Sequence, residues 1–211
     1  RLEERAQKLR ERSLGRPHTI TGHYSEEKLL NAARHFMERH QVDLLVMGAV
    51  GEELRHDTIL GNHTFEIMSK IKCNLLAVPD KEQKDGLQNL LMPLDLSASF
   101  NRKNLRFLND QSIFRNTHLS VWEITQTPDA DKTNNAGTVD IFEGLNDIKV
   151  DYSNIDKAAV SQKGIWSDVQ EQFDLIVLMG RNIGICRDLM HNRHGLFTSM
   201  PNRLPILVLH D

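Results

Sequence analysis

Two stretches of this chain repeat at a single offset. Asp43-Leu-Leu-Val-Met-Gly48 resembles Asp174-Leu-Ile-Val-Leu-Met-Gly180, and Asn74-Leu-Leu-Ala-Val-Pro-Asp80 resembles Pro205-Ile-Leu-Val-Leu-His-Asp211. Asp43 and Asp80 stand 37 positions apart, as do Asp174 and Asp211, so both matches share an offset of 131 residues. One short apolar string can match another by chance. Two matches at one offset, each completing a strand–helix–strand unit, mark an internal repeat. Length alone leaves 211 residues as one large domain or two small ones. The repeat divides them into residues 1–80, the C-terminal part of a first domain, and 81–211, a second domain.

Local signals fill in the units. Arg1–Leu14 is charged and leucine-spaced, a helical pattern that stops at Gly15-Arg16-Pro17. Residues 18–23 read as a short strand. Ser25 then serves as N-cap of a helix to about His40, with Leu29, Leu30, Ala33, Phe36 and Met37 on one face. Residues 43–47 and 74–78 are continuous apolar runs, the pattern of strands buried in a parallel sheet, with a helix from about Gly61 to Lys72 between them. Residues 80–87 are polar and read as a linker. In the second unit the pattern predicts strands at 89–95, 118–124, 148–152, 174–179 and 205–209. Helices are predicted at 100–114, 155–172 and 187–199, with a long loop at 125–137. Alternating strands and helices mean an α/β fold with a mostly parallel sheet and right-handed crossovers. The second unit has five strands and the first three, and the offset sets the start of the first about forty residues ahead of Arg1. The terminal strands, 74–78 and 205–209, are the natural contact between units, because each is otherwise a sheet edge needing cover.

The chemistry-bearing feature follows strand 43–47: Gly48-Ala-Val-Gly51, nine residues, then Gly61-Asn62. Glycines at a strand-to-helix turn let backbone N–H groups approach an anion with no Cβ in the way. A helix opening at Gly61-Asn62 adds orphan N–H groups and the positive end of its dipole. Glu52 and Glu53 follow directly, and beside a polyphosphate they must turn outward or hold Mg²⁺. In the second unit the matching loop, Gly180-Arg-Asn-Ile-Gly184 and Gly195, has lost this spacing and reads as a degenerate copy, with Arg181, Arg187 and Arg193 nearby. Glycines at such turns also serve packing alone.

The pattern Gly-x2-Gly-x9-Gly and a small polar residue, with Ile59-Leu-Gly-Asn62 and Ile71-Lys-Cys-Asn-Leu-Leu-Ala-Val-Pro79 beyond it, resembles the universal stress protein (UspA) superfamily. Two units in one chain resemble its tandem E-type subgroup most. The resemblance is strong over 43–79 and weaker over 97–170. It implies two tandem doubly wound, mostly parallel five-stranded sheets of the universal stress protein and adenine nucleotide alpha hydrolase-like class, the first incomplete as given. It implies ATP or a related nucleotide, with Mg²⁺ as a companion ion, whose phosphates rest on Gly48, Gly51, Gly61 and Asn62. An acidic residue ending the first strand meets ribose or adenine in such proteins, and Asp95 is the residue matched to it. It also implies a homodimer or an intramolecular pseudo-dimer.

Composition narrows the alternatives. Lys+Arg number 26 against Asp+Glu 29, a net charge of −3, which excludes a protein devoted to coating nucleic acid or an anionic membrane. No apolar run approaches the roughly 20 residues of a membrane span. Cys73 and Cys186 have no disulfide or metal-knuckle spacing, consistent with a reducing cytoplasm. His191 and His194 have the spacing of half a metal site but, with no third ligand nearby, read as solvated histidines, and His18, His23, His35, His40, His56 and His63 read as scattered surface histidines. Ser97 and Ser99 lie beside a strand end without a nucleophile elbow, while Cys73, Trp122 and Trp166 read as packing residues. No Walker lysine or general base is evident. The sequence therefore predicts a cytoplasmic, non-catalytic stress-response protein that binds a phosphate-bearing ligand, with a non-nucleotide scaffold as the alternative. The regulatory tail of a transporter is a third reading.

Overall fold

The computed structural model describes residues 1–13, 15, 17–49, 60–80, 86–94, 102–125, 142–156, 165–180 and 204–210. The chain separates into two compact units, Arg1–Gln41 and Val42–Asp211.

In the first unit, α1 (Leu2–Arg12) has Glu3 and Glu4 in its first turn and Arg10 and Arg12 in its last, each charge at the helix end whose dipole favours it. Arg10 ties this helix to the segment after it, its Nε donating to the Ile20 carbonyl at 3.0 Å. Residues 18–23 form no strand, contrary to the sequence expectation. Here the backbone is tethered by side chains, with no ladder of its own. α2 (Leu29–Arg39) also starts later than the sequence suggests, after Lys28. The Ser25 hydroxyl accepts the Glu27 N–H at 3.2 Å, a local turn that competes with capping. The face of α2 holding Leu30, Ala33, Phe36 and Met37 is half-buried, and none of its residues is fully buried.

The second unit is built on one seven-stranded sheet. Its strands are β1 (Leu45–Gly48), β2 (Leu75–Val78), β3 (Asn89–Leu94), β4 (Thr117–Thr125), β5 (Ile148–Asp156), β6 (Leu175–Met179) and β7 (Ile206–Leu209), in spatial order β1-β2-β7-β6-β3-β4-β5. All neighbouring pairs are parallel except β2 with β7, which is antiparallel. β3 to β7 thus form a five-stranded parallel sheet with the doubly wound order, in which the chain steps outward in one direction and then in the other. The contact expected between 74–78 and 205–209 is present: Leu75 opposes Val208, Leu76 opposes Leu207 and Ala77 opposes Ile206. At the 131-residue offset Leu76 is the counterpart of Leu207, so the junction is centred on two matching leucines. The sheet is continuous through it.

α3 (Asn62–Lys70) joins β1 to β2 and buries Thr64, Ile67 and Met68. The helix expected over 100–114 is broken into a 3₁₀ turn (Arg102–Leu105), α4 (Arg106–Asp110) and a second 3₁₀ turn (Ser112–Phe114). Gln111, extended at φ −95° and ψ 118°, separates the last two. Asn116 turns the chain into β4 with φ 61°, a left-handed conformation that asparagine tolerates. β5 runs to Asp156, past the expected end at 152, because β4 offers a ladder to Thr125 and Asn154, Ile155 and Asp156 pair with Glu123, Ile124 and Thr125. Of the helix expected over 155–172, residues 155 and 156 belong to β5, residues 157–164 lie outside the described residues, and α5 is Ile165–Gln172. The helix expected over 187–199 lies outside the described residues. The core gathers Leu90, Met92 and Leu94 of β3 with Leu119, Val121, Leu175, Val177 and Leu207, sealed by Leu105, Leu108 and Phe114. No helix among the described residues is long and apolar enough to cross a membrane.

Candidate functional site

The C-terminal ends of β1 and β2 meet the start of α3. Ala49, buried, donates its N–H to the Val78 carbonyl at 2.7 Å, which holds the turn after β1 to the end of β2. Its own carbonyl accepts the Gly61 N–H at 2.8 Å. The chain that leaves the sheet at Gly48 is thereby brought back beside its exit point as the helix begins. Thr64 completes the clamp, its buried hydroxyl donating to the Gly48 carbonyl at 2.8 Å. Gly61 is the N-cap, extended at φ −67° and ψ 154°, and the Phe65 N–H bonds its carbonyl at 2.9 Å.

Of the residues singled out from the sequence, Gly48, Gly61 and Asn62 come together here. Gly48 and Asn62 are exposed, and Gly61 is buried. Gly51 lies outside the described residues, as do Glu52, Glu53, Arg55 and His56. One expected role is revised. The Gly61 N–H is spent on Ala49, so in this conformation it is not a donor to an anion. Donors to a ligand must come from the first turn of α3, where the N–H groups of Asn62, His63 and Thr64 have no acceptor within the helix. Sequence reading missed Thr64 as the clamp, while His63, read as a surface histidine, is exposed beside Asn62. A hydroxyl three residues after an N-cap glycine was the available signal.

The matching turn after β6 is built differently. The His210 ring lies against Gly180, so that a Cβ there would come within 2.5 Å of Nδ1. The His210 N–H in turn donates to the Asn74 side-chain oxygen at 3.1 Å. Where the β1 turn has Ala49 bonded to β2, the β6 turn has glycine under an imidazole. Asp95, Ser97, Ser99, Arg181, Gly184, Cys186, Arg187, His191, Arg193, His194 and Gly195 lie outside the described residues.

Elsewhere, Cys73 is buried and its Sγ lies 3.4 Å from the Val42 carbonyl. Desolvation by burial pushes its thiol above the ordinary range, Asp43 adds a smaller push, and a backbone hydrogen bond from Leu45 opposes them. Trp122 packs edge-on against Phe173 with ring centres 5.7 Å apart. In the first unit, His18, His23, His35 and His40 are exposed, as the sequence suggests. Three rings nonetheless cluster: Phe36 stacks on His40 at 4.3 Å and meets His23 at 4.9 Å, while His35 bonds Glu27 at 2.9 Å.

No family model matches this chain, and no curated protein sequence matches it. Solved structures do match its fold. A universal stress protein from Archaeoglobus fulgidus DSM 4304 aligns with a TM-score of 0.65 at 15% identity, over 99% of this chain and 74% of that one. A protein described as functionally unknown, from Pseudomonas aeruginosa PAO1, aligns with a TM-score of 0.59 at 14% identity, over 99% of this chain and 76% of that one. A candidate universal stress protein from Pseudomonas aeruginosa UCBPP-PA14 gives 0.60 at 13%, with 99% and 76% covered. The mostly parallel α/β sheet of this chain therefore has the fold of universal stress proteins.

Proposed function

We propose that this chain serves in a stress response as a tandem relative of the universal stress proteins. It would hold ATP or a related nucleotide at the turn between β1 and α3 without catalysing a committed reaction. One observation carries the reading: the bond from Gly61 to Ala49 sets an exposed glycine, Gly48, beside the opening of a nine-residue helix at the C-terminal edge of a parallel sheet. Open α/β sheets bind ligands at that edge, and a helix start there favours phosphate. Gly48, the first-turn amides and the Asn62 side chain would meet the phosphates, with Gly51 supplying a second close approach and Mg²⁺ balancing Glu52 and Glu53. Residues 1–80 and 81–211 would be the two repeats, paired through β2 and β7, and the working site would be the cytoplasm.

Calorimetric titration of the whole chain with ATP and AMP, with and without Mg²⁺, tests this. The expected result is saturable binding by the wild type and a loss of at least about tenfold for Gly51→Glu, which sets a carboxylate and a side chain where a phosphate would rest. No binding by the wild type overturns it. A scaffold acting through protein contacts is then the better reading. It is already favoured by one observation, the internal commitment of the Gly61 N–H.

A further inference from the structure

β5 closes the sheet at the end away from β1. The five strands expected of the second repeat, β3 to β7, are all in the sheet, and among the described residues β5 pairs with β4 alone. That pairing runs the full nine residues of β5, so its outer side is an edge of the same length. A long edge invites a further strand, and natural edges are guarded by charge, by proline or by being short. β5 has no proline. Its guards are Lys149 and Asp151, exposed, opposite in sign and two positions apart.

Such a pair is a selective guard. When two copies of one strand meet antiparallel about a twofold axis, matching faces stay together, so the axis passes through a residue that opposes itself. The junction of β2 with β7 has this form, with Leu76 opposite Leu207, its counterpart at the 131-residue offset. For β5, an axis at Lys149 or Asp151 would set like charges directly opposite, which is unfavourable. An axis at Tyr152, Ser153 or Asn154 would set the Asp156 carboxylate opposite Ile148, Val150 or Tyr152. An axis at Val150 suits every pair: Val150 meets Val150, Lys149 meets Asp151 twice, and Ile148 meets Tyr152 twice. Val150 and Tyr152 pack against the core cluster and are only half-buried, so the apolar layer would continue across the axis. On the other face His118 holds the Asp151 carboxylate at 2.6 Å and stands opposite Lys149 in the register of β4.

We propose that the β5 edge is an interface for a second copy of this chain. The two strands join antiparallel about Val150, with Lys149 of each copy paired to Asp151 of the other. The sheets of two chains then run on as one, through an edge distinct from the β2–β7 junction. The alternating charges reject other registers and accept this one.

Sedimentation equilibrium of the whole chain tests this, with each charge reversed singly and both together. The expected result is a monomer–dimer equilibrium in the wild type. Lys149→Asp or Asp151→Lys weakens it about tenfold or more, because each sets like charges opposite at two places. The double variant, with the signs exchanged, regains it. Both positions are exposed, so each variant should keep the wild-type circular dichroism spectrum. In the wild type, hydrogen exchange across Ile148–Tyr152 slows as the chain is concentrated, a readout that needs no variant. A monomer at every concentration overturns the proposal, as does exchange across Ile148–Tyr152 that is indifferent to concentration. So does a dimer unaffected by the single reversals, which would assign association to another surface, or a folded double variant that stays monomeric.

Discussion

β1 and β6 are nearly the same strand in two settings. Leu-Val-Met-Gly and Leu-Ile-Val-Leu-Met both read as continuous apolar runs, yet every residue of β6 is buried whereas β1 alternates, with Val46 largely in solvent. The difference lies in the neighbours. β6 has β3 on one side and β7 on the other, while β1 has β2 alone among the described residues. An apolar run therefore specifies a strand that can be buried, and the partners decide whether it is.

The sharpest way to break this comparison is to charge both copies. Val177→Asp buries an unpaired carboxylate at a fully buried position and should leave the chain unfolded, a loss of more than about 4 kcal/mol. Val46→Asp, at the matching position, should change stability by no more than about 0.5 kcal/mol. Urea unfolding of the two variants measures the contrast, and equal effects would mean that β1 is covered as β6 is. A smaller difference is expected at the aspartates that open the two strands. Asp174→Asn weakens a carboxylate that accepts two amides and should cost about 2 kcal/mol. Asp43→Asn should leave thermal stability unchanged.

The smallest effect concerns Cys73, on the packed side of β1. A thiol raised above its ordinary 9.0 by burial stays protonated to higher pH in the folded chain than in the unfolded one. Its contribution to stability is therefore complete below 9.0 and is lost as pH rises through the folded value. Urea unfolding across the alkaline range should show stability falling with pH in the wild type and falling less steeply in Cys73→Ala. An unchanged slope would mean that the thiol is open to solvent.

Much of the sheet was legible because its strands are apolar runs set off by aspartate, glycine or proline. The need to cover the terminal edge strands even named the pair that meets across the junction, β2 and β7. Where reading failed, a side chain had an alternative to the pattern. Ser25 turns on Glu27 in preference to capping α2, and residues 18–23 hang from the Arg10 guanidinium with no partner strand. At the candidate site, glycine spacing located Gly48, Gly61 and Asn62 but could not tell which amides stay available. That depends on a bond between Gly61 and Ala49, residues twelve apart, and on the Thr64 clamp, both products of the closed turn.

The position of β7 has a kinetic consequence. It lies between β2 and β6, and its partner β2 comes 131 positions earlier in the chain. The β1–β2 pair forms from local contacts, and β3 to β6 can assemble around their own crossovers, but neither part can join the other until β7 has been made and inserted. Such distant pairing closes a long loop before it is rewarded, so the last step of sheet formation should set the refolding rate. Until then the two halves expose the edges of β2 and β6, the period in which the chain is most open to pairing with the wrong neighbour.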